Sequence, residues 1–398
     1  MKALVADAFP ETARNALAAA GIEVTYEPES GSKGLSSLGG YDIVVVRSSK
    51  LTGEAIRSAK HLQLIVRAGA GVNTIDVAAA SKLGVYVTNC PGKNAVAVAE
   101  LTFALLLGVD RQIASAAQDL RSGTWNKKTY SKADGIFGKT LGIVGFGTIG
   151  REVAARAHAF GLHVVAWSRS LDNETAEAFS VERASDLSFL AARSDIVTIH
   201  LPLTSETKQL IDKTFIDKLS KGTILINVAR DGIVDESAIA DAVSAKGLRY
   251  ATDVFEGEPS QGQAPFVHPL AQHKGVLATP HIGASTEQAQ NAVADEAVRI
   301  ITTFARTGAA LNCVNIAKTS PARCQLVVRH LDKVGVLAHM LETVRAAGIN
   351  VEEVENVIFE GAHAASARIR LGQEPTSALL DTIANHEHVL DARLVSLA

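Results

Sequence analysis

Short apolar runs recur through the first third of the chain, at 4–6, 22–26, 43–46, 64–66 and 85–87, with helix-like spacing between them. Runs of that length that stay apolar instead of alternating predict strands buried on both faces, hence a parallel sheet with covering helices. Around Asn89-Cys-Pro-Gly-Lys-Asn94 the texture changes. Residues 95 to about 120 then read as one long helix, a candidate domain crossing and interface.

The strand and helix alternation resumes with runs at 164–167, 196–200, 223–227, 250–254 and 276–279, and a helix at 236–245 fits between two of them. Two α/β domains follow from this pattern in preference to one large sheet. After Pro280, residues 287–307 predict a second long helix, on which the chain crosses back to the first domain. Beyond 312–321 the order becomes strand 324–330, helix 335–347, strand 349–355, strand 364–371, helix 375–385 and strand 389–396. That is the ferredoxin-like order. The division expected is 1–93 with 284–315, 94–283, a linker at 316–321, and 322–398.

The most informative run is Leu141-Gly-Ile-Val-Gly-Phe-Gly-Thr-Ile-Gly150, a buried strand that turns through spaced glycines into a helix. Gly145 permits the tight turn, Gly147 lets backbone approach a pyrophosphate, and Gly150 lets the helix pack on the sheet. Free N–H groups at the helix start, around Thr148 and Ile149, would face phosphates. Gly161 stops the helix and His163-Val-Val-Ala-Trp167 supplies the next strand, the context such a dinucleotide cradle requires.

Composition narrows the picture. At 398 residues with 47% hydrophobic content the chain is long enough for two or three folded domains. With 39 basic against 42 acidic residues and no basic tract, nucleic acid and anionic membranes are poor partners. Cys90, Cys313 and Cys324 are scattered, without metal-site or disulfide-framework spacing, and the histidines show no compact zinc pattern. Met1 leads straight into a strand-like run, and the apolar stretch 101–109 is too short to cross a bilayer. A cytoplasmic protein without a required metal is expected.

Candidate chemistry gathers where strands of the central segment end. Arg230 follows one strand in Asn227-Val-Ala-Arg-Asp-Gly232, Glu258 follows the next, and His281 lies in Thr279-Pro-His-Ile-Gly283. Residues leaving the carboxyl ends of parallel strands converge on a ligand crevice. A carboxylate beside His281 would favour its protonated form and fix one ring tautomer, while the forked donors of Arg230 suit a carboxylate. Taken singly, each has a structural reading: a surface ion pair, a turn acid and a strand-end hydrogen bonder.

In these ordered motifs and in the glycine cradle, nearly the whole chain resembles the D-isomer-specific 2-hydroxyacid dehydrogenases, and among them the members that oxidise 3-phosphoglycerate and carry a C-terminal ACT domain. The resemblance implies a flavodoxin-like substrate domain, a Rossmann-type nucleotide-binding domain and a ferredoxin-like ACT domain, in an α/β chain. It implies reversible NAD(P)-dependent oxidation of 3-phosphoglycerate to 3-phosphohydroxypyruvate in L-serine biosynthesis. His281 is then the proton acceptor, Glu258 its tuning acid, and Arg230 the clamp on carboxylate and carbonyl. Arg67-Ala-Gly-Ala-Gly71 matches a loop binding the substrate through backbone donors of Gly69, Ala70 and Gly71. Arg47 and Ser48 match a loop contacting the phosphorylated end, and Asn94 a substrate-side asparagine. His200 and Pro202 match a segment beside the nicotinamide, and Asp253 either orients the carboxamide or caps its strand.

One departure stands out. Where NAD-selective members carry an acid for the ribose hydroxyls, this chain has Ser168, followed by Arg169. NAD is the family norm, and NADP is the alternative these two residues open. In the C-terminal segment, His330 and Asn350 match effector positions of serine-regulated members, but Asp332 and Val334 replace the usual asparagine and proline. L-serine is thus a candidate effector, and a homodimer or homotetramer the expected assembly. Two rival functions remain: an NADPH-dependent glyoxylate or hydroxypyruvate reductase, and a non-catalytic amino-acid sensor.

Overall fold

The computed structural model describes all residues except 29, 31–34, 36–37, 260–262 and 398. Met1–Asn315 forms one compact unit and Ile316–Ala398 another.

The first unit holds two parallel sheets. One contains β1 (Lys2–Val5), β2 (Glu23–Tyr26), β3 (Ile43–Val46), β4 (Leu64–Arg67) and β5 (Tyr86–Asn89), in the order β2-β1-β3-β4-β5. The other contains β6 (Thr140–Val144), β7 (His163–Trp167), β8 (Glu182–Arg183), β9 (Ile196–Ile199), β10 (Ile224–Asn227), β11 (Arg249–Thr252) and β12 (Val276–Ala278). Its order is β12-β11-β10-β9-β6-β7-β8, the Rossmann arrangement, with the reversal between β6 and β9. The central strands explain why the sequence showed unbroken apolar runs: every residue of β3, β9 and β10 is buried, because helices cover both faces. The two-residue strand β8 was not expected, being too short and too polar to leave a hydrophobic signal.

Two helices tie the sheets together. The helix Ala95–Arg111 packs Val98, Phe103 and Leu106 with Leu141 and Ile143 of the second sheet. The helix Glu287–Thr307 returns Ala294, Ala297, Ile300 and Ile301 to the core of the first. Thr286 caps its start, its side chain accepting from the N–H of Ala289, and Gly308 ends it in the left-handed region.

The single helix expected from residue 95 to about 120 is a correction. Gln112 adopts φ 51° and ψ 42°, splitting the run into Ala95–Arg111 and Ile113–Arg121. The first piece has eleven buried residues and the second none, so the break falls where the core contact ends. A single left-handed residue between two helical periodicities leaves no gap in the hydrophobic pattern.

The second unit is an antiparallel sheet of β13 (Cys324–Leu331), β14 (Val351–Ile358), β15 (Ala364–Leu371) and β16 (Val389–Ser396), ordered β14-β15-β13-β16. With helices Val336–Ala346 and Ser377–Ala384 it has the ferredoxin-like order of elements. Burial alternates along β13 and β15, as one covered face requires, and Leu326, Val328, Met340, Val344, Ile369 and Ile383 form the core beneath the helices.

Candidate active site

All the candidate residues of the first unit lie on or just beyond the carboxyl ends of its strands, or at the start of the helix Ala95–Arg111. Glu258 and His281 meet directly. The Nδ1–H of His281 donates to Glu258 Oε2 across 2.6 Å, and Glu258 Oε1 accepts the N–H of Phe255 at 2.8 Å, which fixes the carboxylate. That hydrogen bond holds His281 above its ordinary range; partial burial opposes it, and the charge of Glu258 reinforces it. For Glu258 the largest influence, burial, pushes upward, but the bond to His281 and the neighbouring charges leave it below the usual carboxylate range. With Nδ1 committed, Nε2 is the ring nitrogen free to exchange a proton.

The turn presenting His281 is itself held by Asp253, whose side chain is almost wholly buried. Asp253 Oδ1 accepts the hydroxyl of Thr279 at 2.6 Å and the N–H of Ile282 at 2.8 Å, while Oδ2 accepts the N–H of Gly283 at 2.7 Å. Between those anchors His281 adopts φ 52°, a left-handed conformation uncommon for a residue with a side chain. Both carboxylate oxygens of Asp253 are thus engaged in the histidine turn.

Three arginines at strand ends feel one another's charge: Arg230, Arg67 and Arg47. Arg230 follows β10 in a turn built by Asn227, whose Nδ2 donates to the carbonyl of Arg230 and whose Oδ1 accepts the N–H of Ala229. Its Nη1 donates to the Ala229 carbonyl at 2.6 Å. Burial, reinforced by the charges of Arg230 and Arg47, pushes Arg67 down to about 10. Such mutual repulsion is relieved by an anion. The glycines of the adjoining loop fit around these side chains: a Cβ on Gly69 would overlap the Arg67 guanidinium, and one on Gly71 would lie 2.9 Å from Arg230 Nη2. Asn89 anchors the loop, its Nδ2 donating to the Ala70 carbonyl at 2.5 Å.

Asp7 is a residue of this site that the sequence pattern does not single out. Its Oδ2 accepts the backbone N–H groups of Arg47, Ser48 and Ser49 at 2.5, 3.0 and 3.1 Å, and its Oδ1 accepts the Ser49 hydroxyl at 2.6 Å. It stands two residues beyond β1, and the order of strands, which puts β1 beside β3, is what brings it to this loop. Asn94 stands at the start of the helix Ala95–Arg111, makes no side-chain cap, and has a buried Oδ1 without a partner among the described residues.

The glycine run forms a cradle between β6 and the helix Thr148–Ala159. Gly145 has φ 100°, and a Cβ there would lie 2.6 Å from the His200 carbonyl oxygen; a Cβ on Gly150 would strike the Gly145 carbonyl. Among the described residues nothing lies within 4 Å of where a Cβ on Gly147 would sit, so that side is open for a ligand. A cavity of about 310 Å³ adjoins it, lined by Gly145, Gly147, Ser168, Arg169, His200 and Pro202 among others. Burial pushes His200 down to about 3, so it is neutral; Nε2 pairs with the Thr198 hydroxyl at 3.0 Å and Nδ1 is buried without a partner among the described residues. These features fit a dinucleotide, which would find donors at the helix start and a cavity lined in part by His200.

In the second unit the three candidate effector residues differ in setting. His330 is buried, with Nδ1 2.8 Å from the Leu331 carbonyl and Nε2 3.2 Å from Asn356 Oδ1, so its ring nitrogens are taken internally. Asp332 is exposed, and Asn350 donates to Glu352 Oε1 at 2.8 Å.

Among known proteins, the model of the D-isomer specific 2-hydroxyacid dehydrogenase NAD binding domain matches residues 103–283. A D-3-phosphoglycerate dehydrogenase of Methanocaldococcus jannaschii is 40% identical over 277 residues, 69% of this chain and 52% of that protein. The chain thus spans about half the length of that relative. A hydroxypyruvate reductase of Thermotoga maritima is 40% identical over 282 residues, 70% of this chain and 90% of its own. The solved structure of an NAD+-bound 3-phosphoglycerate dehydrogenase from Entamoeba histolytica superposes with a TM-score of 0.65 at 29% identity, covering 79% of this chain and 99% of that one. Among the described residues no helix is long and apolar enough to cross a membrane.

Proposed function

The chain belongs to the D-isomer specific 2-hydroxyacid dehydrogenases, and on that premise we propose that it catalyses the reversible oxidation of 3-phosphoglycerate to 3-phosphohydroxypyruvate. The observation that carries the substrate assignment is the convergence of Arg47, Arg67 and Arg230 around the Gly69–Gly71 loop. A phosphorylated hydroxyacid brings anionic groups at both ends, whereas lactate or glyoxylate brings one carboxylate and leaves part of this charge unmatched.

A nicotinamide dinucleotide in the cradle supplies the hydride acceptor. The remaining steps belong to the chain. Arg230 and the backbone N–H groups of Gly69 to Gly71 hold the substrate carboxylate, with Arg230 also facing the C2 oxygen. Oδ1 of Asn94, without a partner among the described residues, offers the substrate an acceptor, and Arg47 and Ser48, positioned by Asp7, take the phosphorylated end. As the hydride and its electron pair leave C2, the hydroxyl proton passes to Nε2 of His281, and Glu258 stabilises the imidazolium that results. In reduction the same nitrogen returns the proton.

By this reading residues 1–93 with 284–315 form a flavodoxin-like substrate lobe, residues 94–283 the nucleotide lobe, and the C-terminal unit an ACT-type sensor, with L-serine as candidate effector and a homodimer or homotetramer as the assembly. The β2-β1-β3-β4-β5 order supports the first assignment. Hydroxypyruvate reduction is the second reading, favoured by the near-complete coverage of the Thermotoga relative. Steady-state assays at the nicotinamide absorbance with phosphohydroxypyruvate, hydroxypyruvate and glyoxylate separate the two. Phosphohydroxypyruvate is expected to give the highest kcat/KM; preference for hydroxypyruvate or glyoxylate rejects the phosphoglycerate assignment. Calorimetric titration with L-serine tests the sensor.

A further inference from the structure

The end of β7 lacks the acid that reads ribose hydroxyls, yet a carboxylate stands over the same place. Glu206 comes from the loop after β9 and lines the same cavity as Ser168, Arg169 and Ser170. Its Oε2 lies 3.8 Å from Arg169 Nη1 and accepts the hydroxyl of Thr204 at 2.9 Å. The loop is stapled from within: the Thr207 hydroxyl donates to the Pro202 carbonyl at 2.6 Å and accepts the N–H of Thr204 at 2.8 Å. Glu206 is therefore a positioned carboxylate, although its side chain and that of Arg169 remain largely exposed.

We propose that Glu206 supplies from the neighbouring loop the negative charge missing at Ser168, and that it selects a dinucleotide whose ribose has a free 2′-hydroxyl over one carrying a 2′-phosphate. The inference rests on the cofactor reading of the cradle given above and adds to it a selectivity residue. Arg169 alone would attract a 2′-phosphate. Beside Glu206 its charge is partly offset, and a phosphate arriving there meets a carboxylate within a few ångströms, whereas a 2′-hydroxyl can donate to that carboxylate. The pair itself is weak because water screens it. Its effect is consequently one of discrimination and not of fold stability. A like-charge contact of this kind in a wet cleft is expected to shift affinity by about five- to tenfold.

The test is direct binding of NAD+ and NADP+ by calorimetry to the full chain, for the native protein and for Glu206→Gln and Arg169→Ala. The native protein should bind NAD+ more tightly. Glu206→Gln should tighten NADP+ about five- to tenfold while changing NAD+ by less than about twofold, and Arg169→Ala should weaken NADP+ further. High salt should compress the native preference, because the charges are exposed. An unchanged NAD+ to NADP+ ratio in Glu206→Gln, with NAD+ still bound, overturns the role of Glu206 and leaves the cofactor reading standing. Failure of the native protein to bind either nucleotide overturns both. Native preference for NADP+ overturns the direction of selection.

Discussion

Asp253 and His281 are linked through the backbone: Asp253 holds the chain just beyond His281 at Ile282 and Gly283 and the Thr279 hydroxyl before it, while Glu258 holds the ring. Backbone and imidazole are thus fixed by different carboxylates. Asp253→Ala leaves two N–H groups without their acceptor and releases a left-handed turn, and should destabilise the first unit by about 2–4 kcal/mol. Asp253→Asn keeps one acceptor oxygen and should retain more stability. If the turn exists to aim His281, Asp253→Asn will lower kcat by at least about tenfold with cofactor affinity nearly unchanged; a change confined to nucleotide binding would instead return Asp253 to the cofactor side.

Replacing the acid that tunes the ring should appear in pH profiles. The bond from Glu258 raises the pKa of His281 in the folded protein, so the protonated form needed for ketoacid reduction persists above its ordinary value of 6.5 and is lost as pH rises through the raised one. Oxidation, which needs the neutral ring, rises across the same limb. In Glu258→Gln both limbs should move to lower pH, and reduction at pH 8 should fall by about 10- to 100-fold. The paired kcat/KM profiles measure this, and unshifted limbs would remove Glu258 from its tuning role. His281→Asn should cost at least about 100-fold in both directions.

The loop glycines offer a sharper probe of the arginine cluster than the arginines themselves. A methyl on Gly69 overlaps the far end of Arg67, a flexible group able to swing aside. Gly69→Ala is therefore expected to unfold at nearly the native urea concentration but to raise KM for the phosphorylated substrate by about tenfold or more, as the guanidinium is displaced. A stability loss without a KM change would show that the glycine serves packing alone.

How far the sequence could be read depends on what kind of signal each residue leaves. Buried parallel strands such as β3 and β10 announce themselves as unbroken apolar runs, and the cradle does so through Gly145 and Gly150, each required by a local close approach, with Gly147 at the spacing between them. The same holds for the helix Glu287–Thr307, which carries a cap at Thr286 and a stop at Gly308. Asp7 and Glu206 left no such mark. Each acts on a loop distant in sequence, and only strand order brings Asp7 beside Arg47 or Glu206 beside Arg169. The break at Gln112 escaped for a different reason: local backbone handedness is invisible to a hydrophobic period.

Glu296 shows the same dependence on tertiary context, and its titration can be predicted with a sign. It is buried on the returning helix, where Oε1 and Oε2 accept from Arg299 at 2.6 and 3.0 Å, Oε1 also accepts from Asn312 at 2.7 Å, and Lys93 lies 3.5 Å away. The bond from Arg299 is the largest cause holding its carboxyl down at about 2, against an ordinary 4.5. A carboxylate whose folded pKa is lowered stabilises the fold fully above its unfolded value and progressively less as pH falls toward the folded one. Because its main partner Arg299 is half exposed and water screens the pair, Glu296 should contribute on the order of 1–2 kcal/mol above pH 5, a contribution lost between roughly pH 4.5 and 2. Glu296→Gln should lower the urea midpoint of the first unit at pH 7, and the difference from the native protein should shrink as unfolding is followed down to pH 3. A gap that stays constant over that range would mean that shape and hydrogen bonding, and not charge, hold the helix to the Lys93 loop.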